Sequence, residues 1–158
     1  MCIRDSTVTV NGGSITGNID LGAGTDAFAV NAGTVDGKVT TIGSVIVNGG
    51  TLRVGDGSTF GTGEIKNNAT LDIGSTTLAI GGTYTQSAAS TLMVAVNGAT
   101  NGNGSLVATG TATATTGYNL ALNVSNYIQN NATYKIIQGA ALGSAIAARP
   151  FPSSETIM

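Results

Sequence analysis

A chain of 158 residues with a formal net charge of −2 carries only 9% charged and 4% aromatic residues, with no histidine and no tryptophan. Its six cations, Arg4, Lys38, Arg53, Lys66, Lys135 and Arg149, are scattered, so there is no basic patch for the phosphates of a nucleic acid. No apolar run reaches about 18 residues, which excludes a membrane-spanning helix, and the lack of histidine excludes a Ser-His-Asp triad and a Cys/His metal centre.

The 24 glycines and the 41% hydrophobic content, rich in Val, Ile, Leu and Thr, describe thin repetitive β structure rather than charged disorder. Cys2 is the only cysteine, so no internal disulfide forms. So few cysteines suit a protein that crosses membranes unfolded. The opening Met1-Cys2-Ile3-Arg4-Asp5-Ser6 differs in character from the rest of the chain. Residues 1–6 read as a non-native leader of the kind a translated adaptor leaves, and the lack of a signal peptide then says nothing about location.

From residue 7 a pattern recurs. Thr7-Val8-Thr9-Val10 reads as a strand and leads into Asn11-Gly12-Gly13-Ser14-Ile15. The same beat returns as Asn31-Ala32-Gly33-Thr34-Val35, Asn48-Gly49-Gly50-Thr51-Leu52, Asn67-Asn68-Ala69-Thr70-Leu71 and, loosest, Ala88-Ala89-Ser90-Thr91-Leu92. The hydroxyl residue falls at 14, 34, 51, 70 and 91. A period near 20 joining a turn to a strand marks a stacked repeat protein, about twice the spacing of ordinary hairpins. Ile15, Val35, Leu52, Leu71 and Leu92 then form one inward column, and Gly17, Gly37, Val54, Ile73 and Val94 a second, because residues i and i+2 of a strand share a face. Between them Thr16, Asp36, Arg53, Asp72 and Met93 point outward, and Arg53 lies between two acids. The column Asn11, Asn31, Asn48 and Asn67 predicts a ladder of stacked amides at the corner. Turns come at Gly22–Asp26 and Gly55–Ser58, and weaker strands at 59–66. Residues 7–97 are thus read as β-helix coils, right-handed by the crossover rule.

The pattern changes after Asn97. Residues 98–105 read as a flexible loop, and Leu106–Thr115, Tyr118–Asn126 and Thr133–Gln138 as longer strands. Tyr118, Leu120, Leu122 and Val124 share one face, and Tyr134 and Ile136 another. Residues 98–139 are expected to cap the stack, since a last coil exposes unpaired backbone and apolar side chains. Residues 140–158 are read as a loop or disordered tail, with Ala140–Ala148 a short helix or loop.

Three strings carry a resemblance: Gly82-Thr83-Tyr84-Thr85-Gln86-Ser87-Ala88-Ala89-Ser90-Thr91-Leu92, Leu106-Val107-Ala108-Thr109-Gly110-Thr111-Ala112-Thr113 and Thr133-Tyr134-Lys135-Ile136-Ile137-Gln138-Gly139. In this order they resemble the C-terminal passenger region of pertactin-like bacterial autotransporters, the type V secretion proteins. The Gly-Gly-Thr-Leu beats before them resemble autotransporter-associated β-strand repeats, so the likeness spans most of 7–140. It implies an all-β, right-handed parallel β-helix (a single-stranded solenoid) with a C-terminal strand cap. It also implies export through an outer-membrane β-barrel and a cap that nucleates folding, the autochaperone. Only 19 residues follow Gly139, too few for a barrel of many strands of about ten residues each. The chain is therefore expected to be a passenger fragment that does not itself enter a membrane. Its expected partners are its own C-terminal β-barrel and upstream β-helix coils, with host-surface or matrix ligands as candidates and no nucleic acid.

Chemistry is sparse. Gly22-Ala23-Gly24-Thr25-Asp26-Ala27-Phe28 fits one copy of the calcium nonapeptide G-x-G-x-D-x-apolar. Such sites draw ligands from tandem copies, so this stretch is read as a turn. Among Asp20, Asp26, Asp36, Asp56 and Asp72, only Asp36 and Asp72 occupy equivalent positions, with Arg53 between them, so no glycosidase pair is assigned. The threonine arrays Thr7–Thr9 and Thr111–Thr116 are too unevenly stepped for an ice-binding lattice. Asn68-Ala69-Thr70 and Asn131-Ala132-Thr133 match the glycosylation pattern, which carries little weight in a bacterial chain. No catalytic, cofactor-binding or metal residue is assigned, and no cofactor is expected. The expected role is a non-enzymatic stalk and folding nucleus in a secreted or surface-displayed adhesin-like protein. The alternatives are a carbohydrate-active β-helix enzyme fragment and a phage or S-layer fibre protein.

Overall fold

Short apolar-polar alternations broken by Gly, Asn and Ser fold here as strands, and no helix occurs among the described residues. The computed structural model describes residues 5–61, 63–128 and 132–143. The first repeats give β1 (Thr7–Thr16), β2 (Ile19–Asp20), β3 (Ala27–Gly37), β4 (Val39–Ile42), β5 (Ser44–Val47), β6 (Thr51–Val54) and β7 (Thr59–Phe60). The next give β8 (Ile65–Asn67), β9 (Thr70–Gly74), β10 (Thr77–Ile80), β11 (Tyr84–Gln86) and β12 (Thr91–Asn97). The last are β13 (Gly102–Asn103), β14 (Ser105–Ala108), β15 (Thr111–Ala114), β16 (Asn119–Ser125), β17 (Ile137–Gln138) and β18 (Ala141–Leu142).

The chain is all-β with mostly parallel sheets. The larger sheet has twelve strands along the path β13-β12-β9-β6-β3-β5-β8-β11-β15-β18, with β1 on β3 and β16 on β12; the smaller runs β17-β14-β10-β7-β4-β2. Only the β12–β13 hairpin is antiparallel among the described pairings. β1 and β3 run unbroken past the Asn corner, whereas later repeats split there into β5 and β6, β8 and β9, β11 and β12, and β15 and β16.

Register follows the repeat. Ile15 pairs with Val35, Val35 with Leu52, Leu52 with Leu71, Leu71 with Leu92 and Leu92 with Leu120. Val35, Leu52, Leu71 and Leu92 are fully buried, while Ile15, on the edge strand β1, is 37% exposed. The second inward column is buried at Val54, Ile73 and Val94. A bulge sets Val94 opposite Gly74 rather than Ile73. These residues join Phe28, Val45, Ile65 and Tyr84 of the larger sheet and Leu78, Ile80 and Leu106 of the smaller in one core.

One inward column turns polar partway along. It passes from Val30 and Val47 to Asn67, Gln86 and Ala114. Asn67 and Gln86 are fully buried, so each must find partners inside. Asn67 Nδ2 donates to Thr91 O at 2.9 Å, and its Oδ1 accepts from Ala69 N at 3.2 Å. Gln86 Oε1 accepts from the Tyr84 hydroxyl at 2.9 Å, and its Nε2 donates to Ser90 O and Asn119 O at 3.3 and 3.2 Å. Burial pushes the Tyr84 hydroxyl pKa well above its usual value, outweighing the opposing hydrogen bond from Asn67. Folded Tyr84 keeps its proton after the unfolded chain has lost it, so stability is full below 10.0 and falls as pH rises beyond it. Urea midpoints measured from neutral to alkaline pH should show that fall, and Tyr84→Phe should flatten it.

Residues 98–105 are not a free loop. Gly102–Asn103 turns back onto Val96–Asn97, and Gly98, Gly104 and Ser105 are buried. A string of Gly, Asn and Thr lacks the side-chain alternation that signals a strand, and its order comes from main-chain pairing. Beyond it β14 pairs with β10, β15 with β11 and β16 with β12, all parallel. The partners Ser105 and Thr77 lie 28 residues apart. Tyr118 is buried, but exposure rises along β16 to 36% at Leu122 and 46% at Val124. Ile136 is buried and Tyr134 packs against the core. Before β1, Asp5 and Ser6 bond to the next repeat: Thr25 N donates to Asp5 Oδ1 at 2.9 Å and Ala27 N to Ser6 O at 2.8 Å. Residues 1–4 of the expected leader and 144–158 of the expected tail lie outside the described residues.

Candidate functional site

The Asn corner carries the predicted amide ladder, with one change of member. Asn31 Nδ2 donates to Asn11 Oδ1 at 2.9 Å, Asn48 Nδ2 to Asn31 Oδ1 at 2.9 Å and Asn68 Nδ2 to Asn48 Oδ1 at 3.0 Å. The Ser87 hydroxyl continues the series onto Asn68 Oδ1. Asn68, not Asn67, is the fourth member. Val47 pairs with Asn67, which places Asn68 beside Asn48. Counting back from the threonine misplaced it, because the corner before Thr70 is one residue shorter than the one before Thr51.

Beyond the corner, hydroxyls line up along the larger sheet: Ser14, Thr34, Thr51, Thr70 and Thr91 are in register. Two residues further on, Arg53 lies between its acidic neighbours. Arg53 Nε reaches Asp72 Oδ2 at 2.9 Å and Nη1 reaches Asp36 Oδ2 at 3.2 Å. The hydrogen bond and charge of Asp72, then those of Asp36, raise the Arg53 pKa. The Arg53 and Asp36 side chains are 54% and 41% exposed, but Asp72 only 12%. At the bulge after Asp72, its Oδ1 also accepts from Gly74 N at 3.0 Å.

This charged column forms the floor of a groove of about 410 Å³, which continues over Met93 and Asn123. Gly55-Asp56 and Gly74–Thr76 form its wall, where the Thr76 hydroxyl donates to Asp56 Oδ1 at 2.6 Å. The structure thus gathers Asp36, Asp56 and Asp72 in one groove and leaves Asp20 and Asp26 elsewhere. Asp56 and Thr76 were missed as a pair, although their separation of 20 residues is the repeat spacing itself. Each groove carboxylate already accepts a donor. A hydrolytic pair needs one carboxyl poised to give a proton and another poised against water or sugar, and Arg53 ties two of the three together. The groove is equipped to bind polar groups. Asp36→Ala should lower stability by about 0–1 kcal/mol, as for exposed ion pairs. Asp72→Ala should cost about 1–3 kcal/mol, because it also leaves Gly74 N without its acceptor. Urea denaturation of the two variants checks the order.

Elsewhere, Asp20 Oδ1 accepts from Gly22 N at 3.0 Å in the 22–26 turn. No group of three or more His, Cys, Asp or Glu that could hold a metal ion occurs among the described residues. No helix there is long and apolar enough to cross a membrane. Comparison with protein-family models, with curated proteins and with solved structures found no match to the chain.

Proposed function

We propose that this chain is a stretch of right-handed parallel β-helix from a secreted or surface-displayed, autotransporter-like passenger. In this reading it serves as a structural stalk, and residues 98–139 serve as its folding nucleus. One observation carries the reading: side chains about a repeat apart lie on one another, as in Val35–Leu52–Leu71–Leu92 and in the Asn11–Asn31–Asn48–Asn68 ladder. A stack of this kind grows by adding one repeat to a formed edge, so export can proceed as each emerging repeat folds onto the last. The scarcity of cysteine and the bound state of the groove carboxylates favour a scaffold over a catalyst. The partners in this reading are a C-terminal β-barrel and further coils upstream, at the outer membrane.

Two experiments test it. The reading frame downstream of the gene should encode a β-barrel, and an unrelated domain in that position counts against export by this route. Pulsed hydrogen exchange during refolding of the whole chain should protect residues 98–139 before residues 7–54. Protection that starts at β1 overturns the nucleus. A second reading, a carbohydrate-binding or carbohydrate-active β-helix, is favoured by the clustering of Asp36, Arg53, Asp56 and Asp72 in one groove. Saccharide binding that Arg53→Ala abolishes would support it.

A further inference from the structure

The chain holds five Asn-Gly steps: Asn11-Gly12, Asn48-Gly49, Asn97-Gly98, Asn101-Gly102 and Asn103-Gly104. Such a step is chemically weak, because glycine has no side chain to keep its nitrogen away from the neighbouring amide carbon. Attack needs two freedoms. The asparagine side chain must swing toward its own main chain, and the glycine nitrogen must leave its place in the fold.

Four of the five steps are held. Asn11 and Asn48 belong to the amide ladder, their Oδ1 atoms accepting from Asn31 and Asn68 at 2.9 and 3.0 Å. Asn11 also pairs with Ala32 along β1, and Gly49 N donates to Val30 O at 3.1 Å. Asn97 Oδ1 accepts from Ala99 N and from Asn126 Nδ2, each at 3.0 Å, while buried Gly98 donates to Ser125 O at 2.9 Å. Asn103 Nδ2 donates to Gly104 O and Lys135 O at 2.6 and 3.0 Å, while buried Gly104 donates to Ala95 O at 2.9 Å. Three of these glycines are also crowded: a Cβ would lie 2.2 Å from Asn31 O at Gly49, 2.1 Å from Tyr127 O at Gly98 and 2.1 Å from Gly74 O at Gly104.

Asn101-Gly102 differs. Both residues are exposed, at the end of a hairpin closed by the pairs Val96–Asn103 and Asn97–Gly102. Asn101 lies in the turn itself, with a φ of 54°. Its Oδ1 meets the Tyr134 hydroxyl at 3.4 Å, longer than an ordinary hydrogen bond between oxygens. Gly102 N reaches the Thr100 hydroxyl at 3.3 Å, and that oxygen is the one atom within 4 Å of a Cβ placed on Gly102.

We propose that Asn101-Gly102 is a site of spontaneous deamidation. Gly102 N bonds to Asn101 Cγ and gives up its proton to solvent, and the side-chain nitrogen leaves as ammonia. The five-membered imide so formed takes up water at either carbonyl, which leaves an aspartate or an isoaspartate at position 101. One water is consumed and one ammonia released. Either product sets a carboxylate where Tyr134 meets an amide, and the isoaspartate also lengthens the main chain of the turn. The change falls where the hairpin joins residues 134–135, outside the core. It does not depend on the chain being an exported stalk.

The test ages the whole folded chain at mildly alkaline pH and maps its peptides by mass spectrometry at intervals. Position 101 should be the first to gain the mass of amide-to-acid exchange, as a mixture of both isomers, and isoaspartyl methyltransferase should label the aged protein there. The other four asparagines should lag severalfold. In urea, where the fold no longer restrains them, all five should react at similar rates. Gly102 lies outside the left-handed region, so Gly102→Ala should stay folded by circular dichroism and slow the reaction at 101 severalfold. A folded chain in which Asn11 or any other asparagine of the five reacts as fast as Asn101 overturns the proposal. So does a position 101 that stays intact while the urea-treated chain deamidates, or a Gly102→Ala chain that reacts as fast as wild type.

Discussion

Leu71→Asp, and equally Leu52→Asp, should leave the chain unfolded at room temperature. Leu71 is fully buried and has Leu52 on one side and Leu92 on the other in the same column. Truncating a buried leucine alone costs about 2–5 kcal/mol. A carboxylate in its place adds several kcal/mol more, because no cation or donor is at hand. Total stability is about 5–15 kcal/mol for an ordinary domain, so the sum consumes most or all of it. Far-UV circular dichroism should show loss of the β signal, and Leu71→Ala should remain folded with a lowered urea midpoint. A Leu71→Asp protein with an unchanged melt would mean that these leucines do not face one another inside.

The second large effect is expected at the Asn corner. Gly50 has a φ of 71°, and a Cβ on it would lie 2.1 Å from Gly33 O and 2.8 Å from Gly33 N. Gly33, with a φ of 84°, stands in the same relation to Gly13, whose carbonyl oxygen would be 2.3 Å from its Cβ. Glycines of successive repeats thus stack main chain on main chain, and a methyl group has no flexible neighbour to displace. Gly50→Ala should cost about 1–2 kcal/mol for the left-handed backbone, and about 1–3 kcal/mol or more for overpacking. Gly117 offers the control: its φ is 94° but nothing lies within 4 Å of an added Cβ. Gly117→Ala should therefore lose only the backbone share. Equal losses at the two positions, measured by urea denaturation, would show that the close approach at Gly50 carries no weight.

The stacked columns were readable because a repeat near 20 residues aligns like with like. Leucine falls on leucine, threonine on threonine, and Arg53 between two acids. Ambiguity arose where a corner changed length. Asn67 and Asn68 are adjacent and identical, and only strand register decides which joins the ladder and which turns into the core. Asn67 looked like a corner residue, and nothing marked Gln86 as buried, because amides seldom occupy a buried column. Their partners, Tyr84, Ser90, Thr91 and Asn119, leave no local mark in the sequence. The burial of Asp26 was hidden for a related reason: an acid after Gly-Ala-Gly-Thr reads as an exposed turn until its strand parity with Phe28 is fixed. The groove around Asp36 and Asp72 was legible in its floor, through the columns, but not in its wall, which is made by two turns.

The hairpin between Val96 and Asn103 shows where this frame has room to vary. About eight more residues separate paired strands there than in the earlier repeats, yet β14, β15 and β16 still meet β10, β11 and β12 in parallel register. The exposed tip at Ala99–Asn101 is thus a natural grafting point. A foreign epitope spliced in there would be held out from the paired strands, while the same splice at Gly49–Gly50 would break their pairing.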